Sequence, residues 1–476
     1  MLEQFIKNRV LQQLPFDANE GQQALLDKLS QFIVSSDPRK AFVLRGYAGT
    51  GKTSIMAALV RALQQLQQRI VLLAPTGRAA KVLSKYAHVP AYTIHKYIYR
   101  QKKLGEEIFT LNDNLHRNTL FIVDEASMIS GRRDNPTFGS GILLDDLVRY
   151  VYNGAGCSLL MLGDDAQLPP VGSNKSPALD EGYMSGYQLS IHSHTLTEVA
   201  RQATDSGILE NATRLRPLAM GESRDICDGL VEYMWKIIQL RADVCTVSGM
   251  ELLEALEQSY SEVGAKETIL LTHTNKRTNI YNQGIRTRIL WKEEEIGNGD
   301  RVMVCKNNYY WTEKYEDLPF LANGDMLEVV RLRNIREMYG YHFADAQLRS
   351  LDYDWEIDVV LWLDTMHSDN PEANQQMHKD LFYKVAEDYP ELQHSRKKLI
   401  EAIYESPYYN ALQIRMAYSI TGHKSQGGQW ARVFIDPYKG GEQNTHPNSD
   451  EQREFFRWLY TAVTRSTEKV YFIKNN

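Results

Sequence analysis

The stretch AFVLRGYAGTGKTSIMAALVRALQQLQQRIVLLA covers residues 41–74. Two apolar runs, AFVLR and IVLLA, flank a glycine-rich turn and a helical segment. Neither run alternates with polar residues, so both faces of each strand should be buried, as in a parallel sheet covered by helices. Strand, helix, strand at this spacing is the α/β doubly wound pattern. The turn GYAGTGKT (46–53) fits Gly-x-x-x-x-Gly-Lys-[Ser/Thr]. Its glycines, Gly46, Gly49 and Gly51, let the backbone N–H groups of Ala48, Thr50 and their neighbours converge on phosphate oxygens, and the helix opening at Lys52, Thr53 and Ser54 adds its dipole. Lys52 is placed for the β- and γ-phosphates of ATP, and Thr53 for Mg²⁺.

Two more apolar runs end in acids. LFIVDEAS (120–127) delivers Asp124 and Glu125, and LLMLGDDAQLPPVG (159–172) delivers Asp164, Asp165 and then Gln167. Carboxylates at the end of a buried strand are costly in an apolar core but fit a ligand at the sheet edge. Asp124 is expected to bind Mg²⁺ through water, and Glu125 to polarise an attacking water. Gln167 is placed to sense the γ-phosphate, on a loop that Pro169 and Pro170 stiffen.

The bulk composition agrees with a globular enzyme. The chain has 476 residues, 43% hydrophobic and 24% charged, which is material for two to four domains. A net charge of −6 does not advertise a nucleic-acid binder, yet a basic groove can sit on an acidic surface. Cys157, Cys227, Cys245 and Cys305 contain no Cys-x-x-Cys pair, which argues against a zinc ribbon or a disulfide scaffold. The start, MLEQFIKNRVLQQLPFDANE, reads as a short amphipathic helix rather than a signal peptide. No run reaches the roughly 18 apolar residues of a membrane span. A cytoplasmic protein without membrane attachment is expected.

A second set of apolar runs follows: TILLTHT (268–274), MAYSIT (416–421), RVFID (432–436) and KVYFI (469–473). Between about 300 and 410 the texture changes to short alternating strands and then a charged helix, NQQMHKDLFYKVAEDY. A small inserted β-domain is expected there. KKLGEEIFTL, within 97–114, reads as a hairpin with Gly105 at its turn.

These segments together resemble superfamily 1 helicases, in the 5′→3′ branch of RecD-like and Dda-like enzymes. The resemblance rests on FDANEGQQALL (16–26), the phosphate loop, APTGRAAKVL (74–83), TIHK (93–96), VDEAS, GDDAQLPPVG, LTEVARQ (196–202), LTHTNKRTNIYN (271–282), AYSITGHKSQGGQW (417–430) and LYTAVTRSTEKV (459–470), in family order. It implies an α/β fold of two RecA-like P-loop domains with parallel sheets. A small hairpin insert in the first (about 97–116) and a β-rich, SH3-like insert in the second complete it. The domains expected are 1–195, then 196–312 with 411–476, with 313–410 inserted. ATP would lie in the cleft, with Gln22 reading adenine (Gln23 the alternative) and Gly428 contributing from across it. Arg201 and Arg465 match the family's two arginines that neutralise γ-phosphate charge from the far side.

The resemblance also places Thr76, Arg78, His95, Thr272, Asn275, Lys276, His423, Lys424 and Ser425 on single-stranded DNA. Hydroxyls, amides and cations at strand ends suit phosphate oxygens and carry no base code. Tyr97, Tyr99, Tyr309, Tyr310 and Trp311 have two readings, stacking on bases or core packing. The hairpin at 102–110 reads as a pin at a single-strand/duplex junction. The implied activity is a monomeric ATP-dependent DNA helicase, with recombination and repair as roles consistent with its relatives. One departure stands out: relatives commonly carry Glu where this chain has Gln429. Rival readings are a DNA-dependent ATPase subunit of a nuclease–recombination complex and a non-translocating P-loop switch. Neither a Glu-x-Lys or Asp-x-Lys nuclease signature nor His-Glu-x-x-His occurs.

Overall fold

The computed structural model describes residues 1–101, 109–133, 138–199, 206–226, 229–315, 318, 320–368, 371–439 and 446–474. The chain forms two compact units. One gathers residues 1–102, 108–246 and 425–472; the other is built from residues 247–424.

The first unit is organised by a parallel sheet. Its strands are β1 (Lys40–Gly46), β2 (Arg69–Ala74), β3 (Ala91–Thr93), β6 (Thr119–Val123), β7 (Ser158–Gly163) and β8 (Ser190–Leu196), in the order β3-β2-β6-β7-β1-β8. The apolar runs read as doubly buried strands are so: Phe42, Val43, Leu44, Phe121, Ile122, Val123, Leu159 and Leu160 have no accessible surface. Parallel register sets Val43 opposite Met161 and Phe121 opposite Leu159. That register brings the carboxyl ends of β1, β6 and β7 together, with Gly46, Asp124 and Asp164 just beyond them. A short antiparallel hairpin, β4 (Tyr99–Gln101) with β5 (Phe109–Leu111), leaves this unit between β3 and β6. The expected turn at Gly105 lies outside the described residues.

Local chemistry starts the helices where the sequence says. The opening segment forms a helix, Leu2–Gln13, burying Ile6 and Val10. Asn19 and Gln22 form a reciprocal capping box at the head of Glu20–Val34. Near the chain's end Asn448 and Glu451 repeat the device and start Ser449–Val463. LYTAVTRSTEKV thus divides into the last turn of a helix, a corner at Thr464 and Arg465, and the strand β18 (Ser466–Ile473). β18 pairs in parallel with β17 (Trp430–Ile435) and lies beside β9 (Val244–Val247).

In the second unit β10 (Thr268–Thr272) pairs in parallel with β16 (Ser419–Thr421). The β-rich segment is a closed five-stranded barrel of β11 (Arg301–Val304), β12 (Met326–Met338), β13 (Tyr341–Ser350), β14 (Glu356–Trp362) and β15 (Leu412–Met416). It is wider in sequence than 313–410, because its first and last strands lie in the flanks and pair with each other. Closure removes free sheet edges. β12 and β13 turn tightly at Tyr339 (φ 57°) and Gly340 (φ 71°), the left-handed pair that a two-residue hairpin needs. The charged helix of the sequence reading is Pro371–Ala386; with Arg396–Tyr404 it covers Phe343, Val360 and Trp362 of the barrel. The expected α/β class with parallel sheets and a β-rich insert is the observed one. Among the described residues no helix is long and apolar enough to cross a membrane.

Asp300 anchors the second unit. Its carboxylate is fully buried and accepts from Arg286 (2.9 Å), Lys292 (2.9 Å), the Tyr418 hydroxyl (2.8 Å) and Gly297 N (2.7 Å). Burial alone would raise its pKa, yet the bonds from Arg286 and Lys292 hold it below the usual carboxylate value. Asp300→Ala leaves the buried Arg286 guanidinium without its carboxylate and is expected to destabilise this unit by about 3–5 kcal/mol in denaturant unfolding.

Candidate functional site

The turn after β1 is shaped by left-handed glycines at Gly49 (φ 74°) and Gly51 (φ 85°). At Gly51 the left-handed backbone favours glycine, and a Cβ would stand 2.8 Å from the Gln22 amide nitrogen, so that side chain would have to move. Thr50 is buried, and its hydroxyl donates to Tyr47 O at 2.7 Å. The Lys52 ammonium donates to the carbonyls of Gly46 and Tyr47, holding the loop as a closed cradle at the head of the helix Lys52–Gln65.

A cavity of about 300 Å³ opens over this loop. Ala48, Gly49, Gly51, Lys52, Thr53 and Ser54 line it from the loop, Asp124 and Glu125 from the end of β6, and Asp164 and Gln167 from the end of β7. Arg465, Thr464 and Gln429 line it from the C-terminal segment. Lys52 and Arg465 therefore line one cavity. Arg465 is 4% exposed. Its guanidinium donates to Thr461 O at 3.1 Å and Gly428 O at 3.3 Å, and stands 3.7 Å from the Glu125 carboxylate. Gly428 thus takes part through its carbonyl. Gly46 lies behind the cradle, as the acceptor of Lys52.

The acids show the stress of their surroundings. Burial, then the neighbouring Glu125 carboxylate, push Asp124 up to about 6. Burial also raises Asp164. Glu125 adopts a left-handed backbone (φ 51°), costly for a non-glycine residue and concentrated at functional sites. Gln167 lines the cavity and is 6% exposed, and its buried Oε1 has no protein partner.

Gln22 behaves differently from a free adenine reader. Its Oε1 accepts from Asn19 N at 3.1 Å, closing the capping box, and its Nε2 donates to Thr50 O at 3.0 Å, bracing the phosphate loop. Gln23 bonds to Ala18 O at 3.0 Å. Arg201 lies outside the described residues.

The residues expected on DNA are divided between the units. In the first, Thr76 caps the helix Gly77–Ala87, and Arg78 stacks on Trp430 at 4.0 Å while donating to Gln429 O at 3.1 Å. His95 packs against Phe138 at 5.0 Å, and burial lowers its pKa to about 4, so it is a neutral ring. Ser425 is buried. In the second, Thr272 is buried with its hydroxyl 2.7 Å from that of Thr278, Asn275 opens the helix Asn275–Arg288, and Lys276 is exposed beside it. His423 and Lys424 are exposed, and Lys424 donates to Asn323 Oδ1 at 2.6 Å. The aromatic candidates take part in internal bonds: Tyr97 with His116, Tyr99 with Asp146, Tyr310 with Glu405 O and Trp311 with Asn410 O, while Tyr309 packs 5.4 Å from Phe320.

Sequence reasoning missed Tyr460 and Thr461. Tyr460 bonds to Ala48 N and Asp164, and Thr461 to Leu168 N, tying the C-terminal helix to both loops. The available signal was two hydroxyls inside the otherwise apolar run WLYTAV.

Comparison with known proteins gives the family context. Residues 17–224 match a family model described as AAA domain, and residues 416–473 one described as UvrD-like helicase C-terminal domain. The chain is similar to the ATP-dependent DNA helicase dda of Enterobacteria phage T4, 24% identical over 96% of this chain and 99% of that protein. It is 25% identical to the uncharacterized protein R530 of Acanthamoeba polyphaga mimivirus, over 96% and 99% of the two chains. The ATP-dependent RecD2 DNA helicase of Deinococcus radiodurans is 29% identical over 41% of this chain and 23% of that protein. Among solved structures, the Pif1 helicase from Bacteroides in complex with ADP-AlF3 and ssDNA aligns with 96% of this chain and 92% of its own, at 16% identity and a TM-score of 0.47.

Replacing the buried guanidinium tests the shared cavity. Arg465→Ala is expected to leave nucleotide binding within a few-fold and to cut ATP turnover by roughly 10²–10⁴ in steady-state assays. Normal turnover would remove Arg465 from the site.

Proposed function

We propose that this chain, which belongs to the superfamily 1B DNA helicases of the Dda-like and RecD-like type, is a motor that travels 5′→3′ along single-stranded DNA and opens duplexes at junctions. The observation that carries this reading is the cavity shared by Lys52, Asp124, Glu125, Gln167 and Arg465. A phosphate loop alone leaves the outer side of a γ-phosphate unneutralised; a buried arginine from a distant part of the chain supplies that charge.

The donor set also fits Mg²⁺. Thr53 and Asp124 present hard oxygen ligands, and the crowding of Asp124 with Glu125 suits a divalent cation at this site. Thr53 and Asp124 would hold the ion, which when bound neutralises phosphate charge. Lys52 would exchange its loop carbonyls for β- and γ-oxygens. Glu125 would orient and polarise the attacking water, with the unsatisfied Gln167 Oε1 as a further acceptor for it. Arg465 would leave Glu125 for the transferring phosphoryl group, freeing the carboxylate as charge develops.

The strand would be held by Thr76, Arg78, His95, Thr272, Asn275, Lys276, His423, Lys424 and Ser425. Thr76 and Thr272 order their loops and Ser425 is buried, while exposed His423, Lys424 and Lys276 would supply side chains for backbone contact. Arg78 supports the coupling of grip to hydrolysis, because it bonds to Gln429 O and Gln429 lines the nucleotide cavity. Binding that rests on phosphate contacts should weaken steeply with salt.

Strand displacement on substrates with a 5′ or a 3′ tail tests this function. The chain should unwind the 5′-tailed duplex with ATP and Mg²⁺ and leave the 3′-tailed one intact, with Lys52→Ala inactive on both. Unwinding from the 3′ tail would reverse the polarity. DNA-independent hydrolysis with no unwinding would make the chain a switch ATPase.

A further inference from the structure

Between the phosphate loop and Arg465 stands one buried phenol. Tyr460 is 1% exposed, and its hydroxyl is bonded on both sides. It donates to Asp164 Oδ2 at 2.7 Å and accepts from Ala48 N at 2.8 Å. Burial raises its pKa well above the ordinary value, so the phenol remains a neutral donor.

Each partner belongs to a different wall of the cavity. Ala48 is in the phosphate loop. Asp164 ends β7 and orders the following loop: its Oδ1 accepts from Ala166 N at 3.0 Å, and its carbonyl from Gln167 N at 3.2 Å. The same loop is caught again one step further on. Thr461 Oγ1 accepts from Leu168 N at 2.9 Å, and Gln426 Nε2 donates to Leu168 O at 2.6 Å. Tyr460 and Thr461 sit on the last turns of the helix Ser449–Val463, and Arg465 follows at its end. The Arg465 guanidinium is itself bonded to Thr461 O. This helix is therefore bonded at once to the phosphate loop and the Gln167 loop and carries the arginine at its end. No other hydroxyl on the helix reaches both Ala48 and Asp164.

We propose that Tyr460 is a positioning residue for ATP hydrolysis: its hydroxyl locks the phosphate loop and the Asp164–Leu168 loop to the helix that carries Arg465, and so sets where the guanidinium stands over the γ-phosphate. The inference rests on the ATPase reading of this cavity. It does not rest on the direction of travel or on DNA binding. Tyr460 acts through Arg465 and does not itself touch the reacting atoms. A hydrogen bond to a carboxylate is worth enough to hold such a geometry, and misplacement of a charged group by a fraction of an ångström is expensive in rate.

The test uses the full chain and the Tyr460→Phe substitution, which removes one oxygen and keeps the ring. ATPase kcat and KM, ADP affinity and melting temperature are measured in the wild-type and Arg465→Ala backgrounds. In the wild-type background Tyr460→Phe should lower kcat about tenfold to hundredfold, with KM for ATP and ADP affinity changed less than about threefold. In the Arg465→Ala background the same change should cost less than about twofold, because the group that Tyr460 places is gone. Equal losses in both backgrounds would show a general structural role and overturn the proposal, as would an unchanged kcat in folded protein. Should Tyr460→Phe fail to fold, Asp164→Asn reads the same link, and additive loss with Arg465→Ala overturns the proposal in the same way. Wild-type hydrolysis indifferent to single-stranded DNA would end the motor reading while leaving the Tyr460 comparison intact; absence of any hydrolysis would end both.

Discussion

Charges buried at one end of a parallel sheet must compensate one another. Lys52, Asp124, Glu125, Asp164 and Arg465 gather around a single cavity at the ends of β1, β6 and β7. Unpaired, each would be costly in a low-dielectric interior. The structure meets that cost with short local partners: loop carbonyls for Lys52, the Tyr460 hydroxyl for Asp164, and backbone carbonyls with Glu125 for Arg465. The partners of Lys52 and Arg465 are oxygen acceptors, the kind of group that phosphate oxygens can replace. The rest of the first unit serves that end. Parallel register brings three loops to one edge, and capped helices fix where they begin.

The nucleotide cavity and a segment expected on DNA meet in a visible contact. Arg78 stacks on Trp430 and bonds to Gln429 O, and Gln429 lines the cavity. A segment expected on DNA and one lining the nucleotide site are thus in direct contact within one unit. The second unit carries its own candidates on the loops after β10 and β16, stiffened by Thr272, Thr278 and the Asp300 cluster. Its barrel holds Asn323, which accepts from Lys424.

Much of this was legible in the sequence, for physical reasons. Short apolar runs without alternation, bounded by turns, fit doubly buried strands, and β1, β2, β6 and β7 are such strands. The glycine spacing in GYAGTGKT demands left-handed backbone, and Gly49 and Gly51 have it. The texture change near residue 300 marked a β-insert because alternation marks a one-sided sheet. What escaped was long-range pairing. The barrel reaches Arg301 and Met416 because strands distant in sequence close it, and no local pattern announces that closure. The resemblance reads Gln22 as the adenine reader; the capping box and Thr50 O, 28 positions away, use both ends of its amide, and no local pattern announces the second bond. Tyr460 was hidden for the same reason: its partners lie 412 and 296 positions away, so it reads as one more apolar residue in a buried helix.

The most direct measurement is a structure of the chain bound to Mg²⁺, ADP and aluminium fluoride. The account predicts the Lys52 ammonium and the Arg465 guanidinium within hydrogen-bonding distance of the same fluoride group, with Glu125 facing the apical water. Arg465 turned away from that group, with its bonds to Thr461 and Gly428 unchanged, would contradict it.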